Sequence, residues 1–282
     1  MPSDAQLVDR GIATALACWA ENVRGSSEAK LATHPGVTVA VFPTEPERGF
    51  FNNAILHAGL PRPEVVAAIE AMERDYADAA ITEFAAWVLE DDQIAVAELA
   101  SRGFRVNEST CAMGLELDTF RAPEPQLEVT RGDWAEYVRI LDVPGFLPTA
   151  DPSAYHVVVG RLDGANVGSA MAYDHDGDCG IYNVGTEEGA RRHGVGAAMT
   201  VRLLLDARAR GCRTATLQST PMGENVYASL GFRRLARILE FVPSANPTQP
   251  ATSASPSAAS STPKTSVPVT NGGTNVVFVS GA

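Results

Sequence analysis

The chain has 282 residues, enough to bury one large core or two smaller ones. Hydrophobic residues make up 45% and charged residues 20%, the balance of a soluble globular protein. The formal net charge of -12 lacks the basic footprint that nucleic-acid binding leaves; it fits a cationic or amine-bearing small substrate only weakly, since such acidity commonly serves solubility alone.

In chain order, Asp4 to Val23 carries apolar residues at helical spacing. Met1 to Ala20 lacks a basic start followed by a continuous apolar core, so no signal peptide is expected. No apolar run approaches the roughly 20 residues of a membrane helix. Val37 to Phe42 (VTVAVF) reads as a short strand, and Pro63 to Tyr76 as a helix with Pro at its start and Val65, Ile69 and Met72 on one face. The rest of the first half reads as helices with a few strands. It holds no glycine-rich phosphate loop, and Trp87, Phe84 and Phe104 are expected in its core.

The four cysteines (Cys18, Cys111, Cys179, Cys212) form no C-x-x-C pair and have no close His partner. They are expected to be free thiols in a reducing cytoplasm, with no metal bound.

Leu99 to Phe104 (LASRGF) and Tyr227 to Phe232 (YASLGF) end alike. Each follows a helical stretch and precedes a strand-like run, Cys111 to Leu117 and Ile238 to Val242. A similar unit is therefore expected twice, divided at the Pro-rich passage Arg121 to Gln126. The division is 1–122, an N-terminal helical or α+β domain that is a candidate degenerate copy, then 127–242. The remainder, 243–282, is dominated by Pro, Ser, Thr, Ala and Gly and is expected to be disordered.

The second half is more explicit. His156 to Leu162 is a strand that ends at Asp163-Gly164, a hairpin signal. Asn166 to Tyr173 returns, a turn follows at Asp174 to Asp178, and Gly180 to Thr186 is a third strand. A glycine-bearing turn leads to a helix over Val195 to Arg210, which Gly211 ends. Thr214 to Ser219 is a strand, Asn225 to Leu230 a short helix, and a last strand follows.

Two constellations carry chemistry. The first is Arg191-x-x-Gly194-x-Gly196 between a strand and a helix. Free backbone N–H groups at a helix start, with its partial positive charge, suit a pyrophosphate. Glycine lets the backbone approach the phosphates, and Arg191 and Arg192 add charge. A glycine-containing turn with solvated arginines has the same sequence. It is not a dinucleotide fingerprint, because the strands before it are joined by hairpins rather than crossovers. The second is Asn225-x-Tyr227-x-x-Leu230-Gly231-Phe232.

Together they resemble the GNAT superfamily, the Gcn5-related N-acetyltransferases. That family's Arg/Gln-x-x-Gly-x-Gly/Ala signature is matched by Arg191, Gly194 and Gly196, and its Tyr four residues before Gly-Phe by Tyr227, Gly231 and Phe232. The strand order agrees over about 129–242.

The resemblance implies an α/β fold of α+β layering: a mixed, mostly antiparallel sheet flanked by helices, here a candidate tandem with a degenerate first copy. It implies acetyl-CoA as cosubstrate, bound by Val184, Gly185, Thr186, Arg191, Arg192, His193, Gly194, Val195, Gly196, Ala197 and Asn225. Val184 and Thr186 would bond the pantetheine through main-chain groups, and an N–H at Val184 or its neighbour would polarise the thioester carbonyl. Gly185 is the expected bulge or splay point. Tyr227 is the candidate general acid, its alternative being a core aromatic. Asn225 would bond the pantetheine or cap the short helix. The acceptor would be a small-molecule or peptide amine.

The general base is not legible: Glu187 and Glu188 read as turn residues, and Asn183, Tyr182, Ser219 and His156 as pocket-lining groups. Leu99 stands where the second half has Tyr227, so the first half is not expected to bind acyl-CoA in the same way. The competing readings are a catalytically silent acyl-CoA-binding module and, disfavoured by the hairpins, a dinucleotide-dependent oxidoreductase.

Overall fold

Ser3 opens the first helix, α1 (Asp4–Arg24), with a capping box. Its Oγ accepts from the Gln6 N–H at 3.2 Å, and Gln6 Oε1 accepts from the Ser3 N–H at 2.9 Å. Leu7, Ala15, Cys18 and Trp19 make its buried stripe. The structure, a computed structural model, describes residues 2–44, 51–121, 127–141 and 151–244. The tail from residue 245 and the boundary passage over 122–126 lie outside the described residues.

The first half continues with β1 (Lys30–His34), β2 (Val37–Val41), β3 (Asn53–Leu56), α2 (Arg62–Asp78), β4 (Ala85–Leu89), α3 (Gln93–Ser101) and β5 (Phe104–Glu116). The second contains β6 (Val129–Arg131), α4 (Trp134–Leu141), β7 (His156–Leu162), β8 (Ala165–His175), β9 (Asp178–Thr186), α5 (Val195–Arg210), β10 (Thr214–Ser219), α6 (Glu224–Ser229) and β11 (Arg233–Pro243). The second half is as expected: three hairpin-joined strands, helix, strand, short helix, strand. The first half holds more strand than its sequence suggests. β2 and β3 are buried at every position and β4 at four of its five, so none alternates polar with apolar. Such short runs carry no period to read.

Among the described residues, eleven strands form one sheet in the order β1-β2-β3-β4-β11-β5-β10-β9-β8-β7-β6. Only β3–β4 and β9–β10 pair in parallel, so the sheet is mixed and mostly antiparallel. The last strand of each half sits in the other half. β11 lies between β4 and β5, and β5 lies between β11 and β10. The two share the longest pairing in the molecule, from Arg233–Gly114 to Pro243–Phe104.

One face of the sheet is covered by α5 over the second half and by α2 and α3 over the first. The opposite face carries α1 and α4 over an aromatic-rich core that includes Trp19, Trp87, Tyr137, Tyr155 and Tyr182. Trp87 and Phe104 are buried, and Phe84 stacks on Tyr76 with ring centroids 4.2 Å apart, so all three aromatics expected in the core are there. The four cysteines are buried and free.

α1 belongs to the first half yet crosses β5, β8, β9 and β10. Asp178, at the start of β9 and 1% exposed, ties it there. Its carboxylate accepts from Thr14 Oγ1 at 2.9 Å on α1, and from Thr214 and Thr216 Oγ1, each at 2.6 Å, on β10. This buried charge is satisfied by three hydroxyls from two elements, as burial requires.

Candidate functional site

β9 and β10 pair over only three positions, Asp178–Thr214 to Gly180–Thr216. Beyond Gly180 and Thr216 both strands continue, to Thr186 and Ser219, without pairing to each other. The sheet therefore opens into a wedge whose apex is at Gly180. The neighbouring β8–β9 ladder shifts register between Ser169–Gly185 and Met171–Tyr182, so β9 holds one extra residue there. Asn183 takes it up with φ 53°, the left-handed region that Asn tolerates better than most residues. The irregularity is thus at Asn183, with the splay beginning at Gly180. Gly185, the expected bulge point, instead pairs regularly with Ser169.

α5 begins against this wedge. Gly194 caps it at φ 81°, ψ 9°, a left-handed conformation that glycine adopts at little cost. The helix ladder opens with Ala198 N–H donating to Gly194 C=O at 2.9 Å. The N–H groups of Val195, Gly196 and Ala197 therefore emerge from the helix end. Gly160 and Gly168 let α5 settle on the sheet: a Cβ on either would stand within 2.7–3.0 Å of Val195 Cγ1.

A cleft of about 720 Å³ opens at this helix end, between α5 and α6. Thr186, Arg191, Arg192, Gly194, Val195, Gly196 and Ala197 line one side; Met222, Asn225 and Val226 line the other. The structure thus brings most of the sequence-expected set to one cavity. Arg191 Nε donates to Thr186 O at 3.3 Å, which holds its guanidinium along the rim. His193 folds back instead, its Nδ1 2.9 Å from Arg191 O, and does not line the cleft.

Asn225 lies inside α6, whose cap is Gly223, so it is not the helix cap. Its Oδ1 accepts from Arg234 at 3.0 Å, which leaves the Nδ2 amide as the group it can offer. Tyr227, one residue beyond Val226, is fully buried and makes an edge contact with Phe232 at 6.0 Å. It does not line the cleft.

Of the remaining candidates, His156 stands 3.4 Å from Asp174 and Ser219 donates to Thr220 O, and neither lines the cleft. Glu187 and Glu188 are exposed, with Glu187 3.9 Å from Arg139. Asn183 and Tyr182 face the side opposite α5. There Asn183 Nδ2 donates to Tyr137 Oη at 2.8 Å, and Tyr155 Oη to Asn22 Oδ1 at 2.6 Å. Burial raises the pKa of Tyr137, Tyr155 and Tyr182 well above the ordinary tyrosine value, so their hydroxyls are protonated at neutral pH. The hydroxyl of Tyr137 and the bulge at Asn183 carried no signal in the sequence.

The residues present fit a pyrophosphate-bearing ligand. The emerging amide groups, the left-handed Gly194 and two rim arginines supply donors and positive charge to a cavity large enough for an extended group. The described residues of the first half show no such site. At the start of α2, Pro61 and Pro63 lack N–H groups, Gly59 N–H donates to Asp92 Oδ2 at 3.1 Å, and Arg62 pairs with Glu98 at 3.1 Å. Its own carboxylates occupy the donors that an anion would need.

Comparison with known proteins agrees with this geometry. Residues 153–234 match the family model described as an acetyltransferase (GNAT) domain. A comparison with curated protein sequences found no match. Among solved structures, a GCN5-related N-acetyltransferase from Kribbella flavida superposes with a TM-score of 0.64 at 20% identity, over 82% of this chain and 96% of that one. One from Sphaerobacter thermophilus gives 0.55 at 16%, over 86% and 93%. A tandem GNAT protein from the clavulanic acid biosynthesis pathway gives 0.54 at 15%, over 88% and 97%. No helix among the described residues is long and apolar enough to cross a membrane. Residues 153–234 of the second half are thus similar to the acetyltransferase (GNAT) domain family, and the chain as a whole shares the fold of these solved structures.

Proposed function

We propose that the protein transfers an acetyl group from acetyl-CoA to the primary amine of a small molecule or peptide, at one site in the second half. The observation that carries this reading is the cleft in which the open end of α5 faces Asn225 and Val226 of α6, beside the wedge between β9 and β10.

Bound acetyl-CoA supplies the activated acyl group. The N–H groups of Val195, Gly196 and Ala197, with Arg191 and Arg192, hold the pyrophosphate. Main-chain groups at Val184 and the N–H of Thr186, which meet no β10 partner, bond the pantetheine, and Asn225 Nδ2 donates to one of its amides. The amine nitrogen attacks the thioester carbonyl carbon as the C–S bond breaks, and an N–H at the Asn183–Val184 bulge stabilises the oxyanion. The nitrogen gives up one proton to solvent, and Tyr227 gives one to the departing sulfur. We assign the chain two units, 1–122 and 127–242, with the first as scaffold, and place the protein in the cytoplasm.

The burial of Tyr227 favours a second reading, an acyl-CoA-binding module without turnover. Thermal-shift titration with acetyl-CoA and with NAD, followed by thiol release across a panel of amines, separates the possibilities. Stabilisation by acetyl-CoA alone is expected by mass action. Stabilisation by NAD alone overturns the proposal, and acetyl-CoA binding without thiol release on any amine favours the silent module.

A further inference from the structure

The wedge has a second side. On the face away from α5, just past its apex, a chamber of about 30 Å³ lies between α1 and the sheet. This is roughly two to three times the room that one buried water requires. Tyr182 of β9 and Leu217 and Gln218 of β10 form the side facing the wedge. Leu7, Ile12 and Ala15 of α1 form the roof, with Leu235 and Ile238 of β11 beyond. Gly11 brings α1 down on β10: a Cβ there would stand 3.3 Å from Thr216 Cβ. A smaller cavity of about 10 Å³ shares Ile12, Gln218 and Ile238 and runs on to Ile55 and Trp87 of the first half.

The lining holds no charged side chain, and its polar groups are confined to Tyr182, Thr216 and Gln218. The Tyr182 hydroxyl is protonated at neutral pH, and burial raises its pKa further. A chamber of this character gains little from water and more from hydrocarbon. Its position also selects the occupant. Pantetheine approaching from the cleft reaches the wedge between the unpaired stretches of β9 and β10, so the group attached to its sulfur is directed toward the apex. The chamber lies on the far side of that point.

Resting on the acyl-CoA reading above, we propose that this chamber receives the hydrocarbon part of an acyl group longer than acetyl, and that α1 of the first half sets the length accepted. The donor class then widens from acetyl-CoA to short-chain acyl-CoA, with acetyl still accepted and propionyl and butyryl groups bound more tightly. The first half, whose described residues show no donor site, becomes the specificity element of the second.

Isothermal titration of the full chain with CoA, acetyl-CoA, butyryl-CoA and hexanoyl-CoA tests this without knowledge of the acceptor. Butyryl-CoA is expected to bind on the order of tenfold tighter than acetyl-CoA, the scale of two methylenes moved from water into an apolar pocket. Ala15→Leu fills the roof and should lower the butyryl-to-acetyl affinity ratio by a similar factor. Leu7→Ala enlarges the chamber and should move the preference toward hexanoyl-CoA. Thermal unfolding of each variant verifies that it is folded. Equal affinity for acetyl-CoA and butyryl-CoA in the wild type, or ratios that neither variant changes, overturns the proposal while CoA binding upholds the donor site. Failure to bind CoA or any acyl-CoA overturns both.

Discussion

Thr110 and Ile238 face each other across β5 and β11, and their separation in sequence equals that of Gly103 from Gly231 and of Phe104 from Phe232. The flanking pairs obey the same relation: Ser109 faces Leu239 and Cys111 faces Arg237, each the counterpart of the other's partner. Gly103 and Gly231 even share a left-handed backbone, with φ 85° and 97°. The repeat and the strand register therefore have one centre, an internal two-fold axis at Thr110–Ile238. The exchange of last strands follows from that axis.

Exchange makes the halves interdependent. Without the partner half, β11 loses its pairing with both β4 and β5, and β10 becomes an open edge. Unpaired edges of this kind aggregate. Residues 1–122 and 127–244 expressed separately are expected to be insoluble or unfolded, and co-expression to recover a folded complex. The intact chain should melt in a single transition by calorimetry. A second half that is soluble and native-like alone would contradict the interdependence.

Gly194→Val puts a β-branched residue at φ 81°. The backbone strain costs on the order of 1–2 kcal/mol in urea denaturation. Relief of that strain would turn the first amides of α5 away from the cleft. CoA affinity in calorimetry should therefore fall by more than the loss of a rim charge, with Arg192→Ala as the comparison. An equal or smaller loss than Arg192→Ala would place the phosphates elsewhere.

Much of the second half was legible because each signal was local. The hairpin at Asp163-Gly164 and the glycine after α5 specify their own conformations. Most of the cleft lining was legible for the same reason, since the turn from Arg191 to Ala197 that supplies it is contiguous. What could not be read was set by partners distant in sequence. Asn183 takes its left-handed conformation because β8 fixes the register on either side of it. Asp178 reads as a turn residue until Thr14, Thr214 and Thr216 arrive from elsewhere. The LASRGF and YASLGF endings disclosed a repeat but not the exchange, because each strand has the same sequence whichever half it pairs with.

Asp178→Ala leaves the hydroxyls of Thr14, Thr214 and Thr216 without their shared acceptor. A buried donor stripped of its partner costs about 1–3 kcal/mol, so a loss of at least about 3 kcal/mol in urea denaturation is expected. Asp178→Asn keeps one oxygen and should cost less. A loss below about 1 kcal/mol for the alanine variant would show that water replaces the carboxylate.

Glu240 and Glu108 are cross-strand partners on the shared pair, and Glu240 is 6% exposed. Burial raises the Glu240 pKa, against hydrogen bonds from Asn107 and Trp87 that lower it. Burial and the Glu240 charge likewise raise that of Glu108. The folded state therefore holds protons that the unfolded chain releases. This contribution is present below the ordinary glutamate pKa and is lost as pH rises through the raised folded value. Glu240→Gln removes the like-charge contact and should stabilise the protein at neutral pH by a few tenths to about 1 kcal/mol. The gain should vanish in acid. A gain independent of pH would trace the effect to packing instead.

Tyr227 decides between turnover and binding alone. Its ring lies in the core against Phe232, and its neighbour Val226 lines the cleft. Phenylalanine keeps the ring and removes only the hydroxyl. If that hydroxyl protonates the departing thiolate, Tyr227→Phe lowers kcat for thiol release by about 10²-fold or more, the usual yield of a positioned acid. KM for acetyl-CoA should change little, because the loss is confined to the transition state. The deficit should shrink with a thioester whose thiol leaves readily without protonation. Equal rates for Tyr227→Phe and wild type would return the residue to the core, and the leaving sulfur would then take its proton from the attacking amine or from water.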